Sequence, residues 1–461
     1  MENKNKSKSS KINLSQLVLL GLGSLIGSGW LFGAWEASSI AGPAAIISWI
    51  IGFIVIGTIA YNYIEIGTMF PQSGGMSNYA QYTHGSLLGF IAAWANWVSL
   101  VTIIPIEAVS AVQYMSSWPW EWAKPMGALM KDGSISTIGL FAVYVIIAIF
   151  SLLNYWSVKL LTSFTSLISV FKLGVPLLTI IMLMISGFDT NNYGHSASAF
   201  MPYGSAPIFA ATTTSGIIFS FNAFQTIINM GSEIKNPEKN IARGIAISLT
   251  LSAILYIVLQ STFITSMPSS MIHEHGWNGI NFNSPFADMA ILLGINWLAI
   301  LLYVEAVVSP FGTGVSFVAV TGRVLRAMEK NGHIPKFLGK MNEQYNIPRV
   351  AIVFNAIISM IMVTLFRDWG TLAAVISTAT LVAYLTGPTT VISLRKMAPK
   401  MTRPFKANIL KFMAPLSFVL ASLAIYWAMW PTTAEVIFSI ILGLPIYFFY
   451  QYNMNCITTI K

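Results

Sequence analysis

Long apolar stretches alternate with short polar segments along almost the whole chain. Most of these stretches lack Lys and Arg and are about 20 residues or longer, which is the length of a helix that spans a bilayer. We therefore predict an all-α membrane protein with about twelve transmembrane helices. The predicted spans are residues 14–41, 44–69, 87–117, 138–154, 158–186, 207–231, 241–267, 296–322, 348–366, 369–394, 412–430 and 432–450.

The composition supports a membrane protein with one polytopic domain. Hydrophobic residues make up 55% of the 461 positions, and charged residues make up only 9%. Soluble domains carry about 25% charged residues, so this chain has too little charge to cover a water-exposed surface. The single cysteine, Cys456, excludes a disulfide framework and a zinc site built from cysteines. We expect neither a metal ion nor a cofactor.

The positions of the basic residues predict how the spans are oriented. With the N-terminus inside, 21 of the 25 Lys and Arg residues fall in inner segments or at the span ends beside them. Three fall outside, and Lys172 lies within a span. Cytoplasmic loops carry an excess of basic residues. We therefore expect a plasma-membrane protein with both termini in the cytoplasm. Because this topology accounts for the basic residues, the net charge of +9 does not indicate a nucleic-acid partner.

Two predicted spans are interrupted by small residues at similar places. The first span contains several glycines between Gly21 and Gly29, and the sixth contains Ser215-Gly216 followed by a segment from Phe219 to Phe224. These positions correspond if spans 1–5 and 6–10 are two inverted halves. Interrupted helices at corresponding positions are the best sequence indication of a transporter's binding site.

The two interruptions offer complementary backbone groups. A helix breaks inside a membrane only where something else satisfies its backbone. Around Ile26 to Gly29, free N–H groups at the start of the second half-helix suit a carboxylate. Freed carbonyls from Phe219 to Ala223 suit an ammonium, so the pair would hold a zwitterion such as an α-amino acid. The alternative is that Gly23 and Gly27 only allow two helices to pack closely.

A series of short blocks supports this interpretation. The blocks are Gly27-Ser28-Gly29-Trp30-Leu31-Phe32-Gly33, Ala41-Gly42-Pro43-Ala44, Phe70-Pro71-Gln72-Ser73-Gly74-Gly75, Lys172, Glu233-Ile234-Lys235-Asn236-Pro237, Arg323-Val324-Leu325-Arg326-Ala327-Met328 and Asn331-Gly332-His333-Ile334-Pro335. Taken in order, they resemble an amino-acid permease of the amino acid–polyamine–organocation superfamily. The resemblance implies a five-plus-five inverted-repeat fold with broken helices 1 and 6. Residues 1–13 would then be a cytoplasmic tail, 14–394 the ten-helix transport core and 412–452 two additional helices.

The resemblance also implies a substrate site. The segment from Ile26 through Gly27 and Ser28 to Gly29 would hold the substrate carboxylate. Phe219 would be an aromatic gate, and Phe317 lies where some relatives have a second gating aromatic residue. The remaining lining residues would be Ser220, Asn222 and Ala223. Asn222 and Gln225 depart from residues that are common in the family, which leaves the identity of the substrate open.

Three charged residues lie deep in predicted spans. Lys172 is 14 residues from both ends of span 5, or roughly 21 Å from both surfaces at 1.5 Å per residue. Burial without a partner favours the neutral amine, so its protonation would be switchable. Glu107 in span 3 and Glu305 in span 8 would relay protons or face a cationic substrate. The alternatives are a permanently charged lysine bound to backbone carbonyls and protonated carboxyls hydrogen-bonded between helices.

These observations favour a secondary transporter rather than an enzyme, because no nucleophile–base arrangement stands out. The leading prediction is symport of an amino acid with protons into the cell. The alternatives are an exchanger of cationic amino acids or polyamines and a carrier of inorganic cations. The segments 309–314 and 384–388 are similar to a branch of aspartate–proton symporters. An acidic substrate has little other support, because Lys172 is the sole basic residue deep in a span.

Overall fold

A computed structural model of the chain describes residues 11–72, 74–156, 159–222, 224–342 and 347–459, with backbone alone for 159–170 and 452–459. The described residues are almost entirely helical. The helices of the first half are α1 Leu14–Leu25, α2 Gly29–Ala41, α3 Ala45–Met69, α4 Met76–Tyr79, α5 Gln81–Met115, α6 Thr137–Trp156 and α7 Lys159–Ser186. A short hairpin of β1 (Met130–Lys131) and β2 (Ser134–Ile135) precedes α6.

The second half also contains both short and long helices. Its helices are α8 Ala197–Phe200, α9 Ala206–Thr214, α10 Ile217–Phe221, α11 Phe224–Asn229, α12 Pro237–Ser266, α13 Ser269–Gly279, α14 Pro285–Leu292, α15 Asn296–Lys330, α16 Lys336–Gly339, α17 Arg349–Leu365, α18 Trp369–Tyr384 and α19 Thr386–Met397. Two more helices follow, α20 Leu410–Trp427 and α21 Thr432–Thr459.

The all-α membrane fold is confirmed. In the part of the chain that the structure describes, eight helical segments are long and apolar enough to cross a membrane. Four shorter apolar helices lie in or next to predicted spans 1, 5, 6 and 9. The count of twelve and the inverted repeat stay predictions. Helix α15 runs eight residues beyond the predicted span end at 322, because its last two turns are a polar extension outside the apolar stretch.

Helix α5 forms the centre of the bundle. Its most apolar 18-residue window is 83% buried, whereas the corresponding windows of α20 and α21 are only 28% buried. It packs along α15 and α18 over most of its length. Residues of α5 are therefore in a position to contact both halves of the chain, while α20 and α21 lie at the periphery.

One end of the bundle carries most of the basic residues, and we call it the basic end. Here the N–H of Ile12 donates to the carbonyl of Glu233 at 3.0 Å, which brings the start of α1 next to the loop before α12. Arg395 in the last turn of α19 reaches Glu65 near the end of α3. The C-terminal end of α15 lies at the same end, where the Asn331 side chain donates to Asn78 in α4.

Candidate functional site

The first span is interrupted in the middle, as predicted. Helix α1 ends at Leu25 and α2 begins at Gly29, and Ile26 leaves the helical region with ψ 83°. Side chains from other helices satisfy the carbonyls that the interruption frees. The carbonyl of Leu25 accepts from the Tyr256 hydroxyl at 2.6 Å, and that of Ile26 accepts from the Ser309 hydroxyl at 3.5 Å. Neighbouring helices therefore compensate the cost of broken backbone hydrogen bonds inside the membrane.

A carboxylate of the chain itself lies at the free N–H groups of this break. The Ser28 N–H donates to both carboxylate oxygens of Glu107, at 3.2 Å to Oε1 and 3.0 Å to Oε2. Glu107 is fully buried in α5. A Cβ placed on Gly27 would lie 2.6 Å from Glu107 Oε1, so only glycine allows this approach. The place predicted for a substrate carboxylate is thus the place where Glu107 binds.

Lys172 joins the break to span 8. Its Nζ donates to the Gly23 carbonyl at 2.9 Å and to the Thr313 hydroxyl at 2.6 Å. The expectation of a buried lysine without a partner is therefore wrong, because α1 and α15 each supply an acceptor. The side chain is 3% exposed, and its charge interacts with Glu107 and Glu305.

Glu305 lies two turns before Thr313 on the same face of α15. It is fully buried, and neither carboxylate oxygen has a hydrogen-bond partner among the described residues. An ionised carboxylate in such a place would cost several kcal/mol. Because the charge of Lys172 interacts with both Glu107 and Glu305, the three residues form one electrostatic group near the break in span 1.

The sixth span is interrupted at Ser215 and Gly216, which the sequence singled out. Helix α9 ends at Thr214 and α10 begins at Ile217, and between them Gly216 has a positive φ of 81°. A Cβ at Gly216 would lie 2.7 Å from a ring carbon of Trp369, which favours glycine here. Phe219 and Ser220, expected in unwound backbone, are helical in α10. Ala223 lies outside the described residues.

Asn222 closes α10 at the centre of a polar network. Its Nδ2 donates to Thr380 Oγ1 at 2.9 Å and to Ser99 Oγ at 3.2 Å. Its Oδ1 accepts from Gln225 Nε2 and from the Tyr384 hydroxyl at 2.7 Å. The same hydroxyl lies 3.1 Å from the Asn222 carbonyl. The Asn222 side chain is thus committed to linking α5 and α18, and the single proton of the Tyr384 hydroxyl can go either to this side chain or to the carbonyl expected to bind an ammonium.

A small cavity lies between the two interruptions. It brings together residues that the sequence singled out separately, and we call it the central cavity. The predicted residues in its wall are Gly27, Glu107, Phe219, Asn222 and Phe317. The wall also contains Ser24, Leu25, Ile103 and Thr313. Lys172 and Glu305 stand behind this wall rather than in it.

An aromatic cluster covers the break on the side away from the basic end. The Trp369 indole N–H donates to the Ser28 hydroxyl at 3.0 Å. The Trp369 ring stacks on Phe32 with 5.0 Å between centroids and meets Phe219 edge-on at 6.1 Å. The prediction of Phe219 as a gate stays a prediction, but Trp369 and Phe32 were missed. Phe32 lies one helical turn after Ser28, and that spacing could have identified it.

Phe317 lies on the opposite side of the central cavity. It is 3% exposed and follows Thr313 by one turn of α15 in the direction of the basic end. Phe219 and Phe317 thus contribute to the wall from two helices on opposite sides of the path that crosses the bundle. The gating role of Phe317 stays a prediction.

Sequence comparisons identify similar proteins over nearly the whole chain. The model of the family described as amino acid permease matches residues 12–451. The glutamate/serine transporter AimA of Bacillus subtilis (strain 168) is 52% identical over 94% of this chain and 80% of its own length. The aspartate-proton symporter of the same organism is 34% identical over 95% of this chain and 82% of its own length. Its branched-chain amino acid permease BcaP is 26% identical over 97% and 94%.

Proposed function

Because the chain belongs to the amino acid permease family of the amino acid–polyamine–organocation superfamily, we propose that it imports an amino acid together with protons. The chain is a multi-pass membrane transporter and not an enzyme. The proposed part concerns the driving ion, the direction of transport and the substrate.

The contact between Glu107 and the Ser28 N–H carries the proposal. A substrate carboxylate at the break would compete with Glu107 for the same donor. Two carboxylates this close repel each other strongly when both are ionised, so one of them has to take up a proton or leave. Substrate binding would then favour protonation of Glu107, and by linkage protonation would favour substrate binding. That reciprocity is what coupled transport of a proton and an anion-bearing substrate requires.

Lys172 would couple this competition between the substrate and Glu107 to a conformational change. Its ammonium bridges α1 and α15 through Gly23 and Thr313. A neutral amine would bind both acceptors more weakly, because charge-assisted hydrogen bonds are roughly twice as strong as neutral ones. Loss of the proton would therefore release α1 from α15. A proton gradient would bias the two arrangements through their different affinities for the proton.

We propose a small polar or acidic amino acid as the substrate. Two of the similar transporters are named for glutamate, serine and aspartate. Hydroxyl groups of Ser24 and Thr313 lie in the wall of the central cavity and would serve a polar side chain. A cationic substrate is the second candidate, and it is favoured by the buried carboxyl of Glu305, which accepts no hydrogen bond from another described residue.

The orientation and domain division belong to the same proposal. The basic end would face the cytoplasm, as the excess of Lys and Arg there indicates. Residues 14–394 would form the transport core, with residues 1–13 as a tail and the helices within 412–452 as an addition at the periphery. The proposed carboxylate-binding segment remains Ile26 to Gly29, with Phe219, Ser220, Asn222 and Ala223 near the ammonium.

Uptake into proteoliposomes tests the proposal. Purified protein would be given labelled serine, glutamate, aspartate, leucine and arginine, with and without an inward proton gradient. We expect serine or glutamate to accumulate above equilibrium only with the gradient, and a proton ionophore to abolish accumulation. Arginine exchange that does not depend on the proton gradient would instead support the second candidate, a cationic substrate. Equal accumulation of serine or glutamate with and without a proton gradient would contradict proton coupling.

A further inference from the structure

A second small cavity lies nearer the basic end, and we call it the inner cavity. Thr226 and Asn229 line it from α11, and Val320, Arg323 and Val324 line it from α15. Gly74, in the loop after α3, closes one side. The described residues in its wall include neither Asp nor Glu.

The inner cavity continues the path of the central cavity. On α15, Thr313 and Phe317 line the central cavity, while Val320 and Val324 line the inner one. Spacings of four, three and four residues place all of these side chains on one helix face. On span 6, Asn222 lines the central cavity and Thr226 lines the inner one, again one turn apart. A substrate leaving the central cavity toward the basic end would therefore pass Phe317 and enter the inner cavity.

The free polar groups of the inner cavity are hydrogen-bond donors. Asn229 is 7% exposed; its Oδ1 accepts from the Met76 N–H at 3.4 Å, but its Nδ2 has no partner in the described part of the chain. The Thr226 hydroxyl is equally buried and equally without a partner there. Arg323 is exposed, and no hydrogen bond or ion pair joins its guanidinium to another described residue. An amide, a hydroxyl and a guanidinium that all lack an acceptor match an anion.

The C-terminal end of α11 at Asn229 could weaken anion binding, because the last carbonyls of a helix carry partial negative charge. Three of these carbonyls already have donors. The Met230 N–H donates to the carbonyls of Thr226 and Ile227, at 3.2 and 3.3 Å. The Gly74 N–H donates to the carbonyl of Asn229 at 3.2 Å. The guanidinium of Arg323 adds a full positive charge, which a carboxylate can bind in a bidentate manner.

We propose that the inner cavity is a second substrate site, which binds the side-chain carboxylate of an acidic amino acid on the cytoplasmic side. The proposal rests on the proposed function, because it assumes that acidic amino acids travel this path. Arg323 would pair with the carboxylate, and Asn229 and Thr226 would donate to it. The central cavity has no basic side chain in its wall, so the inner cavity would provide the first cation that an acidic substrate meets on its way in. Neutral substrates would pass without being held.

The test measures how fast a thiol in the inner cavity is modified in detergent-purified protein. Val320→Cys introduces the thiol, and Cys456→Ser removes the natural one. Glutamate and its neutral isostere glutamine are the protecting ligands. Gly27→Leu, which blocks the central site, is included so that protection cannot come from binding there.

We expect glutamate to slow modification at about tenfold lower concentration than glutamine, the size expected for one charge-assisted pair. Arg323→Gln should remove that preference, and Thr226→Val should reduce it. Arg326→Gln is the matched control, one turn along α15 and outside the cavity wall, and should retain it. Equal protection by glutamate and glutamine with Arg323 present would overturn the proposal. So would a preference for glutamate that survives Arg323→Gln in protein that elutes as a single species.

This experiment is independent of the transport assay. Protection that depends on Arg323 would establish the inner site even if proton-driven uptake failed. Proton-driven uptake together with absent or Arg323-independent protection would leave the proposed function standing and reject the inner site.

Discussion

Glu65 and Glu107 are both fully buried carboxylates in long helices of one bundle, yet their partners differ sharply. Glu65 receives two hydrogen bonds from the Arg395 guanidinium, at 2.9 Å from Nε and 2.5 Å from Nη2. It also accepts from the Ala407 N–H at 2.8 Å, and Arg403 lies 3.4 Å away. Glu107 has one backbone donor, the Ser28 N–H.

The difference distinguishes Glu65, a carboxylate with a structural role, from Glu107, whose protonation and partner can change. Glu65 is neutralised by two guanidiniums and ties α3 to the end of α19 and to the segment that leads into α20. Removing either partner of such a buried pair leaves an uncompensated charge. Glu107 faces a cavity, and a ligand that offers the same N–H a carboxylate can replace it. Burial alone therefore does not indicate function, whereas an incompletely satisfied carboxylate beside a cavity does.

The largest effect is expected from a variant that disrupts the contact between Glu107 and the Ser28 N–H. Gly27→Leu places a side chain where its Cβ would lie 2.6 Å from Glu107 Oε1 and 3.4 Å from the Thr313 side chain. We expect substrate binding to be lost while the protein still inserts and purifies. Gly57→Leu in α3 is the control, because a Cβ there meets nothing within 4 Å. Binding of labelled substrate to purified protein measures the effect, and unchanged affinity in Gly27→Leu would show that the break is not the site.

The next effect concerns the lysine behind the central cavity. Lys172→Ala should abolish proton-driven accumulation and leave slow exchange. Lys172→Arg should also fail, because a guanidinium does not deprotonate in proteins. Lys330→Arg is the control, because it makes the same substitution at an exposed position in the last turn of α15. Wild-type accumulation by Lys172→Arg under an imposed proton gradient would make Lys172 a fixed structural charge.

The third prediction compares the two glutamates by stability. Glu65→Gln leaves Arg395 and Arg403 without their carboxylate and should cost about 3–5 kcal/mol. Glu107→Gln keeps an acceptor for the Ser28 N–H and should cost about 1 kcal/mol or less. Melting temperatures of the detergent-purified variants give the order. A Glu107→Gln protein that melts as low as Glu65→Gln would show that both carboxylates are structural.

The fourth prediction uses the pH dependence of substrate binding. If the substrate requires a protonated Glu107, affinity falls as pH rises, by up to about tenfold per pH unit. Glu107→Gln removes the titrating group, so its affinity should stay nearly constant over the same range. Equilibrium binding between pH 5 and 9 measures the slopes. Equal slopes in both proteins would place the coupling proton elsewhere, with Glu305 as the next candidate.

The smallest effect belongs to His333, a buried group at the basic end outside the helices. Its ring lies against Phe90 and Tyr447, and neither ring nitrogen has a partner within the described ranges. Burial lowers the pKa of His333 to about 4. Because the folded state binds this proton less readily than the unfolded state, stability is lost as pH falls from about 6.5 toward 4.

His333→Phe should therefore reduce the fall in melting temperature between pH 7 and pH 5. His195→Phe, at an exposed position, should not change it. A melting curve at each pH measures the difference. An identical pH response in wild type and His333→Phe would show that His333 does not titrate in this range.

Several residues of the site were identified from the sequence because each is locally unusual. Charges such as Glu107 and Lys172 stand out in apolar spans, and a glycine run such as that ending at Gly29 stands out in a helix. Trp369 and Tyr256 were not identified, although both hydrogen-bond to the break. Aromatic residues are ordinary in membrane helices, so only their contacts distinguish them.

The sequence by itself determined the all-α membrane fold, the break in span 1 and the excess of basic residues at one end. Each of these depends on local composition, because every helix must suit the membrane and every break needs residues that tolerate it. Only the tertiary structure decided which groups meet at the break. Glu107 is 79 positions from Ser28 and Trp369 is 341 positions from it. Such partners are chosen by how the helices pack, and helix packing leaves no local pattern from which the contact between Glu107 and the Ser28 N–H could be read.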